Sequence, residues 1–299
     1  MFKNILVGVD RHQGGRDAVA LAKQLLDEGG ELTLACIFSG DPHTSLGSPT
    51  EHNLVKREAI AELLRTVSNE AGVQAALRWR ESSSVGRGLH ELCEVIEPDL
   101  LVVGSSRHGL LGRVLLGDDT HAALNGAPCA MAIAPAGYAE RPAEIRQIGV
   151  AYDESPESEH ALTIARTLAA RHGAKLSALE VVSLPTYAFL GGPAPIDGAI
   201  EALVGDARKR LTALEGAEPH AVYGNAAEEL ALNSASLDLL VVGSRGYGPI
   251  GRLVHGSTSQ HLARTARCPL LVLTRGAGAA AASDATNEDR EPTASREDR

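Results

Sequence analysis

Several familiar signatures are missing from these 299 residues. The four cysteines (Cys36, Cys93, Cys129 and Cys268) show no CxxC and no metal-ligand spacing with histidine. No metal site is therefore expected, and the thiols are expected to be reduced and buried. No run approaches the roughly 18 apolar residues of a membrane-spanning helix. A basic surplus is also lacking: the formal net charge is -10, which argues against a nucleic-acid or membrane-surface binder but leaves room for one nucleotide in a local pocket. A GxxxxGK[ST] phosphate loop is absent. The opening MFKNILVGVD runs straight into a strand-like segment without a leader pattern, so a cytoplasmic location is expected.

What the chain does contain is a repeat. DLLVVGS occurs at Asp99–Ser105 and again at Asp238–Ser244. NILVGVD from Asn4 matches QIGVAYD from Gln147. Each ends in an acid (Asp10, Asp153) and leads into helical periodicity, with Ala18, Leu21, Ala22 and Leu25 in one copy and Ala161, Leu162, Ala165, Leu168 and Ala169 in the other. Glycines (Gly29 and Gly30; Gly173) are expected to stop those helices. The unit reads β-α-β-α-β-α-β-α-β, twice. The expected fold is α/β, two tandem doubly wound domains, each a five-stranded parallel sheet covered on both faces and Rossmann-like in its winding. Domains are expected at 1–138 and 144–275, joined by a Pro- and Gly-bearing linker, with a disordered tail at 276–299. Polar stretches at 39–53 and 183–197 read as surface loops.

Ligands of open α/β sheets bind beyond the carboxyl ends of the strands, where DLLVVGS leads. In the second repeat the loop runs Gly243-Ser-Arg-Gly246, then to Gly256-Ser257 at the start of a helix. Gly246 would let main-chain N–H groups approach an anion, and a helix beginning at Ser257 and Thr258 would offer free N–H groups, a positive dipole end and hydroxyls. The first repeat differs: Gly104 and Gly117 keep the glycines, but Arg107 replaces Gly246 and Asp118 replaces Ser257. A carboxylate about 4 Å from a phosphate repels it by roughly 4 kcal/mol at an effective dielectric near 20.

The pattern G-x2-G-x9-G-[ST] resembles the nucleotide loop of the universal stress protein family, and the likeness extends repeat by repeat over nearly the whole chain. The resemblance implies ATP, with or without Mg²⁺, bound mainly in the second repeat. Its contacts would come from Asp153, Val181, Val242, Gly243, Arg245, Gly246, Gly256, Ser257 and Thr258. The corresponding first site, at Asp10, Ile37, Gly104, Arg107, Gly117 and Asp118, would be degenerate. It also implies pairing of the two final strands, Ala130–Ala134 against Pro269–Leu273, as an internal pseudo-dimer, with association of two chains left open. Stress-response regulation is the implied role, and any hydrolysis would be slow. The alternatives are a scaffold of the same fold that binds no nucleotide, and a slow ATPase with its base at His255 or Asp153.

Other readings fit less well. The GxGxxG at Gly246, Gly248 and Gly251 follows a fourth strand, whereas a dinucleotide fingerprint follows the first. The first-strand loops, DRHQGGRD and DESPESEH, are not pyrophosphate loops; in the second, Ser155 is expected to cap a helix with Pro156 in its first turn. His255 precedes Gly256 and reads first as a partly exposed loop histidine, second as a phosphate ligand or proton shuttle. Asp10 and Asp153 could each serve the turn into the following helix instead of a ligand.

Overall fold

The computed structural model describes residues 1–38, 51–105, 114, 123, 126–183, 196–244 and 257–273, with backbone only at 51–54 and 196–197. The first repeat supplies β1 (Asn4–Gly8), α1 (Gln13–Leu25), β2 (Glu31–Phe38), α2 (Glu51–Ala71), β3 (Ala75–Glu81), α3 (Val85–Ile96), β4 (Leu100–Gly104) and β5 (Ala130–Ala134). The second supplies β6 (Gln147–Ala151), α4 (Pro156–His172), β7 (Lys175–Val182), α5 (Ile196–Thr212), β8 (Glu218–Tyr223) and α6 (Ala226–Asn233). It ends with β9 (Leu239–Gly243), α7 (Ser257–Thr265) and β10 (Leu270–Leu273). The stretches read as loops are shorter than expected, since α2 and α5 already begin at Glu51 and Ile196. The expected tail lies outside the described residues.

The strands form one ten-stranded sheet in the order β3-β2-β1-β4-β5-β10-β9-β6-β7-β8. Pairing within each repeat is parallel, and β5 meets β10 antiparallel, with Leu270 opposite Ile133, Leu271 opposite Ala132 and Val272 opposite Met131. Strand order reverses between β1 and β4, and again between β6 and β9, opening a crevice at the carboxyl ends of each pair.

The inner strands are apolar at nearly every position because both faces are covered, whereas the edge strands β3 and β8 carry charged and exposed residues. On β4, Leu100 and Val102 join a core that includes residues of α1, α2, α4 and α5. Leu101 and Val103 join the opposite core, with residues of α3, α6 and α7. Each core draws on both repeats, so neither repeat closes its hydrophobic interior alone.

Helix ends follow local chemistry at α4 and tertiary contacts at α1. Ser155 caps α4 by accepting from the Ser158 N–H, Pro156 takes its first turn, and Gly173, with φ of 62°, closes it. The glycines after α1 do not close that helix. It stops at Leu25, and Gly29, with φ of 72°, lies in the turn beyond. The reason is tertiary. The Asp27 N–H donates to the Phe2 carbonyl, and the Asp27 carboxylate binds the Met1 amine and, at 2.5 Å, Arg171 of α4. Arg171 also donates to the Gln24 and Leu25 carbonyls, so a side chain of the second repeat caps the last turn of a first-repeat helix. Asp17, 1% exposed, accepts the N–H groups of Gly137 (2.9 Å) and Ala139 (2.8 Å) and so fixes the inter-repeat connection.

Candidate functional site

The repeated DLLVVGS is built into the sheet at every position. Asp99 accepts the N–H groups of Lys3 and Asn4 at 2.8 and 2.9 Å; Asp238 does the same for Arg146 and Gln147 at 2.9 and 2.8 Å. Each aspartate thereby clamps the start of the neighbouring first strand. At the other end, the N–H groups of Ser105 and Ser244 donate to Ala134 and Leu273. Between them, Gly104 and Gly243 each lie against the start of the first helix of their own repeat. A Cβ on Gly104 would sit 2.0 Å from the Gly14 carbonyl oxygen, and one on Gly243 would sit 2.5 Å from that of Glu157. These two glycines are required by packing, whatever the loop beyond them does.

In the second repeat this close approach forms the floor of a cavity of about 160 Å³ at the carboxyl ends of β6, β7 and β9. Asp153, Val181, Val242, Gly243, Ser257 and Thr258 all line it. Six of the residues picked out in the sequence, drawn from four separate elements, are therefore brought to one place. Arg245, Gly246, Gly256 and His255 lie outside the described residues. The wall has an apolar side, from Leu179, Val181, Leu230 and Val242, and a polar side, from Asp153, Ser155, Glu157 and the start of α7. Such a mixture suits a ligand with a flat apolar part and polar substituents.

Asp153 makes turn contacts as well as facing the cavity: its carboxylate accepts from the Ser155 N–H at 3.3 Å and from the Ser155 hydroxyl. Ser155 in turn accepts from the Ser158 N–H at 3.2 Å. The carboxylate is thus held in one orientation by the same residue that caps α4. Asp10 takes the corresponding place in the first repeat, accepting from the His12 N–H at 2.9 Å. Around it the electrostatics invert. The start of α1 has no acid in its first turn and no side-chain cap, whereas α4 carries Glu157 and Glu159. Ile37 lies at the end of β2, where a Cβ on Gly88 of α3 would come within 2.6 Å of its Cγ2. Arg107, Gly117 and Asp118 lie outside the described residues.

Behind the cavity wall the second repeat carries a charged cluster that sequence reading missed. Glu180 on β7, only 7% exposed, pairs with Arg210 of α5, which also reaches Glu154 at 3.2 Å. The equivalent first-repeat residue is Cys36, whose thiol burial pushes up to about 11. Tyr152 donates its hydroxyl to Glu159; burial, and then that bond, push its pKa to about 12. Glu154 has φ of 61°, a conformation costly for a non-glycine residue. The missed cavity residues of α6, Ala226 and Leu230, had a local signal in Asn225, which caps that helix through the Ala227 and Glu228 N–H groups.

Among the described residues, no group of three or more His, Cys, Asp or Glu side chains could hold a metal ion. No helix among them is long and apolar enough to cross a membrane.

Fold and site together define a tandem α/β protein whose two repeats join through their last strands, with a candidate ligand cavity at the carboxyl edge of the second. The universal stress protein family model matches residues 1–135 and again 144–274. The chain belongs to the universal stress protein family. A universal stress protein of Mycobacterium tuberculosis (strain H37Rv) is 27% identical over 224 residues, covering 72% of this chain and 76% of its own. One from Thermus aquaticus is 30% identical over 141 residues, covering 43% of this chain and 98% of its own. Among solved structures, a universal stress protein from Archaeoglobus fulgidus superposes with a TM-score of 0.60 at 18% identity, over 92% of this chain and 99% of the other. At that identity the likeness speaks for the fold.

Proposed function

We propose that the chain is an ATP-binding regulator of the stress response, active in the cytoplasm, with its nucleotide site in the second repeat and a degenerate site in the first. The two repeats, at 1–138 and 144–275, act as unequal functional units. The observation that carries this reading is the convergence of Asp153, Val181, Val242, Gly243, Ser257 and Thr258 on one cavity. The apolar wall by Val181 and Val242 suits the adenine. Asp153, already oriented by Ser155, suits the ribose hydroxyls, which a carboxylate accepts from. The start of α7 suits phosphate, because its first N–H groups lack intrahelical partners and its dipole favours an anion. Arg245, Gly246 and Gly256 complete the loop on this reading. Mg²⁺, where present, would accompany the phosphates.

The described cavity wall holds no histidine, and its carboxylates, Asp153 and Glu157, are assigned here to holding ribose and shaping the wall. Hydrolysis, if measured, is expected to be slow.

The test is nucleotide content. Purified protein is denatured, the released nucleotide is identified and counted per chain, and an empty sample is titrated with ATP. One ATP per chain supports the reading. Two per chain mean that the first loop also binds, and none on titration gives first place to a scaffold that works without nucleotide.

A further inference from the structure

Helix α7 has different neighbours at its two ends. At its start, Ser257, Thr258 and Ser259 line the candidate cavity. At its finish, the Ala266 N–H donates to Leu262, and the Ala266 carbonyl accepts the backbone N–H of Val114 at 2.8 Å. Val114 belongs to the other repeat and is fully buried, in the core it shares with Leu262, Ala263 and Ala266. The next N–H, from Arg267, donates to the hydroxyl of the fully buried Ser234 at 2.8 Å. One short helix therefore connects the cavity of the second repeat to a main-chain hydrogen bond with the first. The distance along it is about 14 Å, at roughly 1.5 Å per residue.

The two ends are coupled by the physics of a short helix. At nine residues, α7 is too short to be stable by itself, because nucleation is costly and only tertiary contacts repay it. The N–H groups of a helix's first residues, here Ser257 and Thr258, and its last C=O groups have no partners within the helix. An anion at the start satisfies the former, and the Val114 N–H satisfies one of the latter. Each favours the same folded unit, so each should make the other's binding tighter.

We infer that ligand occupancy of the second-repeat cavity is transmitted along α7 to the first repeat, strengthening the docking of Val114 on Ala266. This rests on the nucleotide reading above for the ligand. It gives the first repeat a function of its own. Val114 falls between Gly104 and Asp118, the segment that corresponds to the glycine loop of the second repeat but lacks its small residues at Arg107 and Asp118. On this reading Val114 reports on the other site.

The experiment is amide hydrogen exchange at Val114 in the full chain, with and without saturating ATP, alongside equilibrium dialysis of ATP on the same samples. Exchange at Val114 is expected to slow about fivefold or more when ATP binds. By reciprocity, Val114→Pro, which removes the N–H, should weaken ATP binding by the same factor. Val114→Ala keeps the N–H and should leave ATP affinity closer to that of the unaltered chain. ATP binding with unchanged exchange at Val114 overturns the coupling and leaves the nucleotide reading standing. No ATP binding by the unaltered chain overturns the nucleotide reading and the coupling with it. Should the proline variant lose its cooperative unfolding transition, the exchange measurement on the unaltered chain decides alone.

Discussion

Leu271 pairs with Ala132, its own counterpart 139 positions earlier, at the centre of the antiparallel β5–β10 contact. On either side the pairs exchange, Leu270 with Ile133 and Val272 with Met131, as a two-fold related interface requires. The approximate axis relating the repeats passes through this pair, and each core runs continuously across it. The chain should therefore unfold in one calorimetric transition. Leu271→Ala, which empties a fully buried position, should lower that transition as a whole by about 2–5 kcal/mol. Two separable transitions would show that the repeats fold independently.

Asp99 and Asp238 make the same clamp at the same place in each repeat, and removing either should cost stability without touching the cavity. Asp238→Ala strands the N–H groups of Arg146 and Gln147 and should cost about 1–3 kcal/mol in chemical denaturation. Asp238→Asn keeps an acceptor oxygen and should cost less. An alanine variant as stable as the unaltered chain would mean that water replaces the clamp.

Gly104→Ala and Gly243→Ala each place a methyl group against a backbone carbonyl, at 2.0 and 2.5 Å. Both should destabilise by about 1–3 kcal/mol, since backbone has to shift. Only Gly243→Ala should also weaken ATP, because only it borders the proposed site. Equal loss of ATP affinity in both would place nucleotide in the first repeat as well.

Ser257→Asp reproduces at α7 the residue found at position 118. Repulsion of roughly 4 kcal/mol corresponds to a loss of about three orders of magnitude in ATP affinity. Thermal stability should hold, because aspartate also starts a helix well. Unaltered affinity by titration calorimetry would remove phosphate from the start of α7.

Acid should destabilise the fold through two histidines. Burial holds the pKa of His160 below its ordinary 6.5, and burial together with the Arg171 charge does the same for His172. As the pH falls through 6.5 the unfolded chain takes up protons that the folded chain refuses, so stability declines until the lower folded values are passed. His160→Gln should flatten part of this decline in denaturation midpoints measured between neutral pH and the acid range. An unchanged slope would assign the decline to other groups.

Most of the fold was legible in the sequence because it rests on local periodicity and on repetition. Apolar strands such as Leu100–Val103 announce burial on two faces, and Ser155, Pro156 and Gly173 mark the two ends of α4 by their own backbone chemistry. The glycine loop pattern pointed to residues that do line one cavity. The early end of α1 was not legible, because Arg171 comes from 146 positions away to bind Leu25. Nor was the Glu180–Arg210 pair, since nothing in β7 reveals what α5 will bring beside it.

The sequence by itself determined which segments become strands and helices and that the unit occurs twice, because side-chain periodicity and capping act over a few residues. The tertiary structure alone decided what those segments do to one another. It placed the axis between Ala132 and Leu271, made Gly243 a packing requirement, and joined Val114 to the end of α7. Those are contacts between residues distant in the chain, and their energies depend on burial and geometry that exist only once the sheet has closed.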